Sequence, residues 1–318
     1  MNRIVFVFGV FAFLGMQQVA QGQMLNSTDN DLRIPWLQDE DEWDEEDESG
    51  FSITLNLGAY FASKKSAKVY NGEGYLQLVN TNGYDAWTIA ERLDPNIFQA
   101  NVQSILNATG ASGLLVPYDS SPQNMSYQPA FVIGLNLKYN FNFTSGIVFD
   151  LNTTRLKAVD QYTIQFIGTT QQQNGQNDTR LYTITGEEQR MFFSLGYRHS
   201  WELKGNGRIY LDMFGDALLT QLRSNYIQVP AGSSGTNSTG FATLQLVDYS
   251  RATNTIAPGT YNPKAGLGFG FGVGPGVEVY LKDRIRMDIG LIVSRDKVKI
   301  ENFEGNMINT QIIARFGI

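Results

Sequence analysis

Residues 266–281 read GLGFGFGVGPGVEVYL, and two residue classes alternate through them almost without a break. Leu267, Phe269, Phe271, Val273, Pro275, Val277, Val279 and Leu281 fall on one parity; Gly266, Gly268, Gly270, Gly272, Gly274 and Gly276, then Glu278 and Tyr280, fall on the other. Side chains of a strand alternate faces with period two, so this is one long strand with an apolar wall on one side and a narrow space on the other. A soluble sandwich covers such a wall with a second sheet. A membrane barrel turns it to lipid and keeps small or polar side chains inside.

Seven further stretches carry the same alternation. Apolar outward positions are expected at Phe51, Ile53, Leu55, Leu57, Ala59 and Phe61, at 131–141 from Phe131 to Phe141, and at Ile147, Phe149 and Leu151. They recur at Phe193, Leu195, Tyr197, His199 and Trp201, at Ile209, Leu211 and Met213, at Met287, Ile289, Leu291 and Val293, and at Ile308, Ile312, Ala314 and Phe316. Connections between these stretches alternate in length. Tight turns are expected near 140–142, 204–207 and 282–284, and long loops at 62–128, 154–189, 218–264 and 295–307. Short turns at one end and long loops at the other are the rhythm of a barrel inserted from one side of a membrane, which a sandwich has no reason to follow. The expected fold class is all-β: an eight-stranded antiparallel up-and-down transmembrane β-barrel with long extracellular loops.

The first residues fit export. Arg3 precedes an apolar core over 4–16, and Ala20-Gln21-Gly22 offers small residues where a signal peptidase reads, so 1–22 is expected to be a cleaved signal peptide. That core is too short to span a bilayer as a helix. Residues 24–50 then hold eleven acidic residues and the single base Arg33, so 23–50 reads as a flexible acidic tail on the periplasmic side. The barrel region, 51–318, accounts for +2 of the chain's formal −7. No cysteine occurs, so neither a lipidated cysteine nor a disulfide framework is available.

The architecture resembles the small eight-stranded outer-membrane barrels of Gram-negative bacteria, the outer membrane protein A and X type, over residues 51–318. The resemblance rests on strand count and loop rhythm rather than on a diagnostic motif, and implies residence in the outer membrane of the cell envelope.

Inward positions supply the candidate site. Lys138, Arg198, Arg208, Arg286 and Arg315 are expected to meet Asp150, Asp212, Asp216, Glu278 and Asp288 as an ion-pair network filling the lumen, since eight strands leave an interior just wide enough for side chains. The inward glycines should leave room for Tyr210, Phe214, Tyr60 or arginine side chains. Tyr139, Phe141, Tyr197, Trp201 and Phe316 are expected as aromatics at the membrane interface. The glycine stretch is no phosphate cradle, because its N–H groups are committed to a continuing strand. The chain's one histidine, His199, falls on the outward face beside Trp201, away from any partner for acid–base work. No catalytic, cofactor-binding or metal residue is therefore assigned, and no cofactor is expected.

In the first long loop, Asp94-Pro95 followed by Ile97, Phe98, Val102, Ile105, Leu106 and Gly110 predicts a short amphipathic helix. The stretch AGSSGTNSTG at 231–240 reads as a flexible loop. Expected partners are membrane lipid, and an outer-membrane or periplasmic protein met through 24–50 or the 62–128 loop, with no nucleic acid. The sequence thus favours a non-enzymatic structural or interaction protein, or an accessory subunit of an outer-membrane assembly, with a narrow channel for small solutes or ions as the alternative.

Overall fold

The computed structural model describes residues 49–73, 85–169, 178–203, 207–232, 239–249, 265–282, 285–301 and 303–317. The expected signal peptide, nearly all of the acidic tail, the turn residues 204–206 and 283–284, and the centre of the 231–240 stretch lie outside the described residues.

In chain order, β1 (Gly50–Phe61) is followed by α1 (Lys64–Ala67), a 3-10 turn (Lys68–Tyr70), β2 (Asp85–Ala86), α2 (Ile89–Arg92), α3 (Gln99–Thr109), β3 (Gly113–Leu115) and β4 (Ser126–Tyr127). Then come β5 (Ala130–Asn140), β6 (Ser145–Ile167), β7 (Asp178–Leu203), β8 (Gly207–Gly232), β9 (Thr239–Gln245), β10 (Val247–Tyr249), β11 (Gly266–Lys282), β12 (Ile285–Ile300) and β13 (Phe303–Gly317). β1, β5, β6, β7, β8, β11, β12 and β13 pair antiparallel in that order, and β13 pairs back onto β1. The ring of eight is closed and up-and-down. A closed ring leaves no unpaired edge, the condition a strand must meet in hydrocarbon.

The outward face of the lower half is apolar and uncovered, and on β11 and β13 the apolar face continues to the level of Arg295. Phe51, Phe131, Leu195, Phe269, Phe271 and Ile308 are each more than 60% exposed. Exposure on this scale around a whole ring is what lipid, rather than a protein layer, covers.

Three of the four long loops expected from the sequence are instead largely strand: in 218–264, β8 runs on to Gly232 and β9 pairs back onto it over Thr239–Gln245. β6 runs on to Ile167 and β7 begins at Asp178, so most of 154–189 is paired wall; β12 and β13 likewise consume 295–307 down to a hairpin. The reason is a change of environment along each strand. On β6 the inward residues below Thr154 are Val148, Asp150 and Asn152, whereas those above are Leu156, Ala158, Tyr162, Ile164 and Phe166, all buried, with the half-buried Asp160 among them. The outward residues change the opposite way, from Ile147, Phe149 and Leu151 to Arg155, Lys157, Gln161 and Thr163. Beyond the hydrocarbon a strand faces water outside and can build an ordinary apolar core inside. The outward-apolar pattern therefore ends there although the strand continues.

β1 and β5 are short and do not reach this upper zone, so the exposed edge of β6 is occupied by β4 at Val159 and Ala158 and by β3 at 165–167. On the far side β9 pairs the top of β8, with Phe241 opposite Pro230. Residues from α1 to β4 fill the interior: Val69, Tyr70, Ile89, Leu93, Ile105 and Met125 pack with Leu156, Ile164, Phe166, Ile184, Leu222 and Ile227 in one buried cluster.

α3 begins at Gln99 rather than near Pro95, because Asp94 is used in a turn. Its carboxylate accepts the Asn96 N–H at 2.8 Å, and its carbonyl accepts the N–H groups of Ile97 at 3.1 Å and Phe98 at 2.8 Å. The helix ends at Gly110, left-handed at φ 66°, and buries Val102 and Ile105. Its apolar stripe is therefore loop core, as is the Trp87–Phe98 contact, edge-on at 5.0 Å between ring centroids.

Candidate functional site

In the lower zone the inward face of each strand points into a space about one side chain deep, and charged residues occupy it. Arg198 on β7 grips Asp212 on β8 with both arms of its fork, Nε to Oδ1 at 2.7 Å and Nη2 to Oδ2 at 2.8 Å, and donates Nη1 to Asp288 on β12 at 2.9 Å. Its plane lies 3.6 Å from the centre of the Tyr210 ring. Arg315 on β13 bridges Asp150 at 3.0 Å and Asp212 at 3.3 Å. Glu278 on β11 receives Lys138 at 3.2 Å and the Tyr280 hydroxyl at 2.6 Å, with Arg286 at 3.6 Å. Asp150 also accepts amide protons from Asn56 at 2.7 Å and Asn136 at 3.0 Å. These contacts tie β1, β5, β6, β7, β8, β11, β12 and β13 together across the lumen.

The two other charged residues expected in this network are Arg208 and Asp216. Arg208 lies over the Phe143 ring, 3.8 Å from its centre, near the turn end. Asp216 faces Ser194 on β7 and Gly270 on β11, forms no ion pair among the described residues, and has a buried oxygen, Oδ1, without a hydrogen-bond partner. Asp296, across Gly270 on β12, is wholly buried in the same state: Ser294 and Asn309 donate to Oδ2, and Oδ1 has no partner.

The glycine face of β11 makes space for large neighbours. A Cβ on Gly272 would meet the Phe214 ring at 2.6 Å, and one on Gly276 would collide with the Tyr210 ring. Gly274 lies beneath Ile292 and Phe214, Gly266 and Gly268 lie against the Lys299 and Lys297 carbonyls, and Gly270 lies against the Asp296 carboxylate. Tyr210 and Phe214 thus lie across β11 where any larger residue would exclude them. Tyr139, Phe141, Tyr197, Trp201 and Phe316 are all outward and exposed, with Tyr139 edge-on to Phe141 at 5.6 Å and His199 edge-on to Trp201 at 4.6 Å.

A second charged cluster, absent from the sequence reading, closes the lumen toward the loops. Glu188 and Arg190 lie two apart on the inward face of β7, fully buried, with Arg190 Nε 2.6 Å from Glu188 Oε1. Glu188 also accepts the hydroxyls of Tyr70 at 2.5 Å and Tyr127 at 2.9 Å, while Arg190 donates to Tyr60 at 2.8 Å and to Ser66 at 3.1 Å. One buried pair therefore fastens the 3-10 turn, α1 and β4 to the barrel wall. Burial pushes the Tyr70 and Tyr127 hydroxyls well above the ordinary phenol range, and the Glu188 charge pushes them the same way, so both remain donors. Gly186 admits the Tyr70 ring, which any Cβ there would strike. The signal available in the sequence was the parity of Glu188, Arg190 and Phe192, continuous with the strand below.

No family model and no curated protein matches this sequence. Among solved structures, the chain is similar to the Neisserial surface protein A at 10% identity, covering 85% of this chain and 97% of that one, with a TM-score of 0.39. It is similar to the outer membrane protein OprG of Pseudomonas aeruginosa at 6% identity, covering 85% and 94%, with a TM-score of 0.34. It is also similar to Ail, the attachment invasion locus protein of Yersinia pestis, at 8% identity, covering 84% and 97%, with a TM-score of 0.29. The assignment to a closed eight-stranded membrane barrel stands on the strand ring and its apolar belt.

Proposed function

We propose that the protein is a non-enzymatic outer-membrane barrel with a filled lumen, acting as a structural or interaction protein through the rigid extension at its loop end. The carrying observation is the double closure of the lumen. Arg198 and Arg315 bridge opposite walls among four carboxylates, and the Glu188–Arg190 pair and an apolar core lie above them. A barrel built only to anchor a tail needs neither 26-residue strands nor an ordered cap. Charges packed this way suit a fixed plug rather than a path, since a passing ion would have to break several paired contacts at once.

The alternative, a narrow channel for small solutes or ions, draws support from Asp216 and Asp296, whose buried carboxylates form no ion pair among the described residues. Planar-bilayer recording of the refolded chain separates the two readings. Silence at all applied voltages is expected, and steady cation-selective conductance that falls on Asp216→Asn would replace the plug by a path. For the interaction role, affinity purification from gently solubilised membranes should return the same protein partner with the intact chain and with one lacking residues 24–50. Loss of the partner with the tail would move the role to the tail, and recovery of no partner would remove it.

A further inference from the structure

The outward face of the wall carries a band of charge that the filled-lumen reading leaves unused. On β12 the outward apolar run Met287, Ile289, Leu291 and Val293 gives way to Arg295, Lys297 and Lys299, all exposed. On β6, Leu151 gives way through Thr153 to Arg155 and Lys157, and on β8, Leu219 gives way through Gln221 to Arg223, again exposed. Only two carboxylates share these outward positions among the described residues: Glu187, 3.1 Å from Arg155, and Glu304, 2.6 Å from Lys297. At the turn end the corresponding outward positions are Tyr139, Phe141, Tyr197, His199, Trp201 and Phe316. The two rims of the apolar belt therefore differ in charge: the turn end is aromatic, and the loop end sets cations among outward phenylalanines such as Phe131 and Phe271, the latter paired with Arg295.

Height decides what the upper rim meets. Two residues of strand advance about 6.7 Å, or roughly 5 Å along the membrane normal at the tilt of a barrel strand. The headgroup layer on each side of the hydrocarbon is about 5–7 Å deep. Arg295 is one outward step past Val293 and so lies within that layer. Arg155 and Arg223 are two steps past the last leucine, within reach of the layer for a long side chain bending back. We propose that Arg155, Arg223, Arg295 and Lys297, one or two outward steps past the belt, form a collar that binds anionic lipid headgroups in the leaflet at the loop end. Continuity with the apolar belt and charge complementarity both point to lipid: the same strands already contact its acyl chains, and phosphate is the counter-charge present at this depth.

The inference rests on the membrane-barrel reading, and one experiment separates the two failures. The full chain, refolded into phosphatidylcholine vesicles, is probed by electron spin resonance with spin-labelled phosphatidylglycerol or spin-labelled phosphatidylcholine. The collar predicts about five-fold stronger association of the phosphatidylglycerol probe, the effect of even one well-placed cation, collapsing toward parity in ~1 M salt. Replacing Arg155, Arg223, Arg295 and Lys297 together by Gln should reduce the preference below about two-fold, while exchanging Lys for Arg and Arg for Lys at those positions should keep it. Restricted phosphatidylcholine with no preference for the anionic probe, a preference indifferent to salt, or one retained by the Gln variant would overturn the collar. Absence of any restricted lipid would instead overturn the membrane barrel. Should the Gln variant not fold, the salt dependence of the wild-type chain still decides.

Discussion

Along the single strand β6, residues 147–151 and residues 156–166 obey opposite rules. In the first region Ile147, Phe149 and Leu151 face outward and Asp150 lies inside, bridged to Arg315; in the second Arg155 and Lys157 face outward and Leu156, Tyr162 and Ile164 lie inside. Pairing to β7 is continuous from Ser145↔His199 to Phe166↔Asp178, so the backbone does not register the change. Only the solvent does. Lipid outside forces apolar side chains outward and leaves the interior to polar groups that must satisfy one another; water outside permits the usual apolar core.

The largest expected effects test whether the two zones really differ in what depends on them. Arg198→Met would leave Asp212 and Asp288 without their principal cation in the lower zone, a change costing about 3–5 kcal/mol. Because that network crosses the whole ring, the urea midpoint of the heat-sensitive gel mobility should fall for the entire barrel. Arg190→Met carries a similar local cost but severs the cap. Barrel mobility should persist while trypsin gains access at Lys64, Lys65 or Lys68. A barrel midpoint shifted equally by both changes would show that the zones unfold as one unit.

Next in size is the exchange of outer faces. Phe149→Arg places a cation in hydrocarbon and should cost roughly 2–4 kcal/mol in vesicle unfolding. Thr163→Arg, at the same parity on the same strand, should lie within about 0.5 kcal/mol of the wild type. Equal costs would mean that the belt does not stop near Leu151.

Tyr70→Phe is a smaller test, confined to the upper zone. It removes one of two hydroxyl donors from Glu188 and should destabilise the cap by about 1.5–3 kcal/mol, read as faster amide exchange over α1 and β4. The barrel's own unfolding should not change, since Tyr127 and Arg190 still hold Glu188.

Much of the lower zone was legible because lipid imposes a period-two signature. All eight strands are there in the sequence, and Lys138, Asp150, Arg198, Asp212, Glu278, Arg286, Asp288 and Arg315 fall into one contact network. The upper zone was not legible by the same test. Above Leu151 the outward residues turn polar, so an outward-apolar reading ends each strand early and takes 154–189, 295–307 and the upper part of β8 in 218–264 for loops. Glu188, Arg190 and Asp296 were lost with those ends. Reading the inward parity instead, Leu156, Ala158, Tyr162, Ile164 and Phe166, would have carried β6 to its observed end. The start of α3 was misplaced for a different reason: an Asp-Pro pair serves a turn as well as a helix cap, and local sequence does not decide which.

The smallest expected effect is the most discriminating within the lumen itself. Asp212 and Asp216 are four residues apart on the inward face of β8, both buried, yet Asp212 is gripped by two arginines and Asp216 by none among the described residues. A buried carboxylate without a cation contributes desolvation cost and little attraction, so removing its charge should relieve strain rather than create it. Asp216→Asn keeps the shape and is expected to leave the unfolding midpoint unchanged or raise it slightly, whereas Asp212→Asn should lower it clearly. A drop for Asp216→Asn comparable to that of Asp212→Asn would mean that its charge is compensated after all.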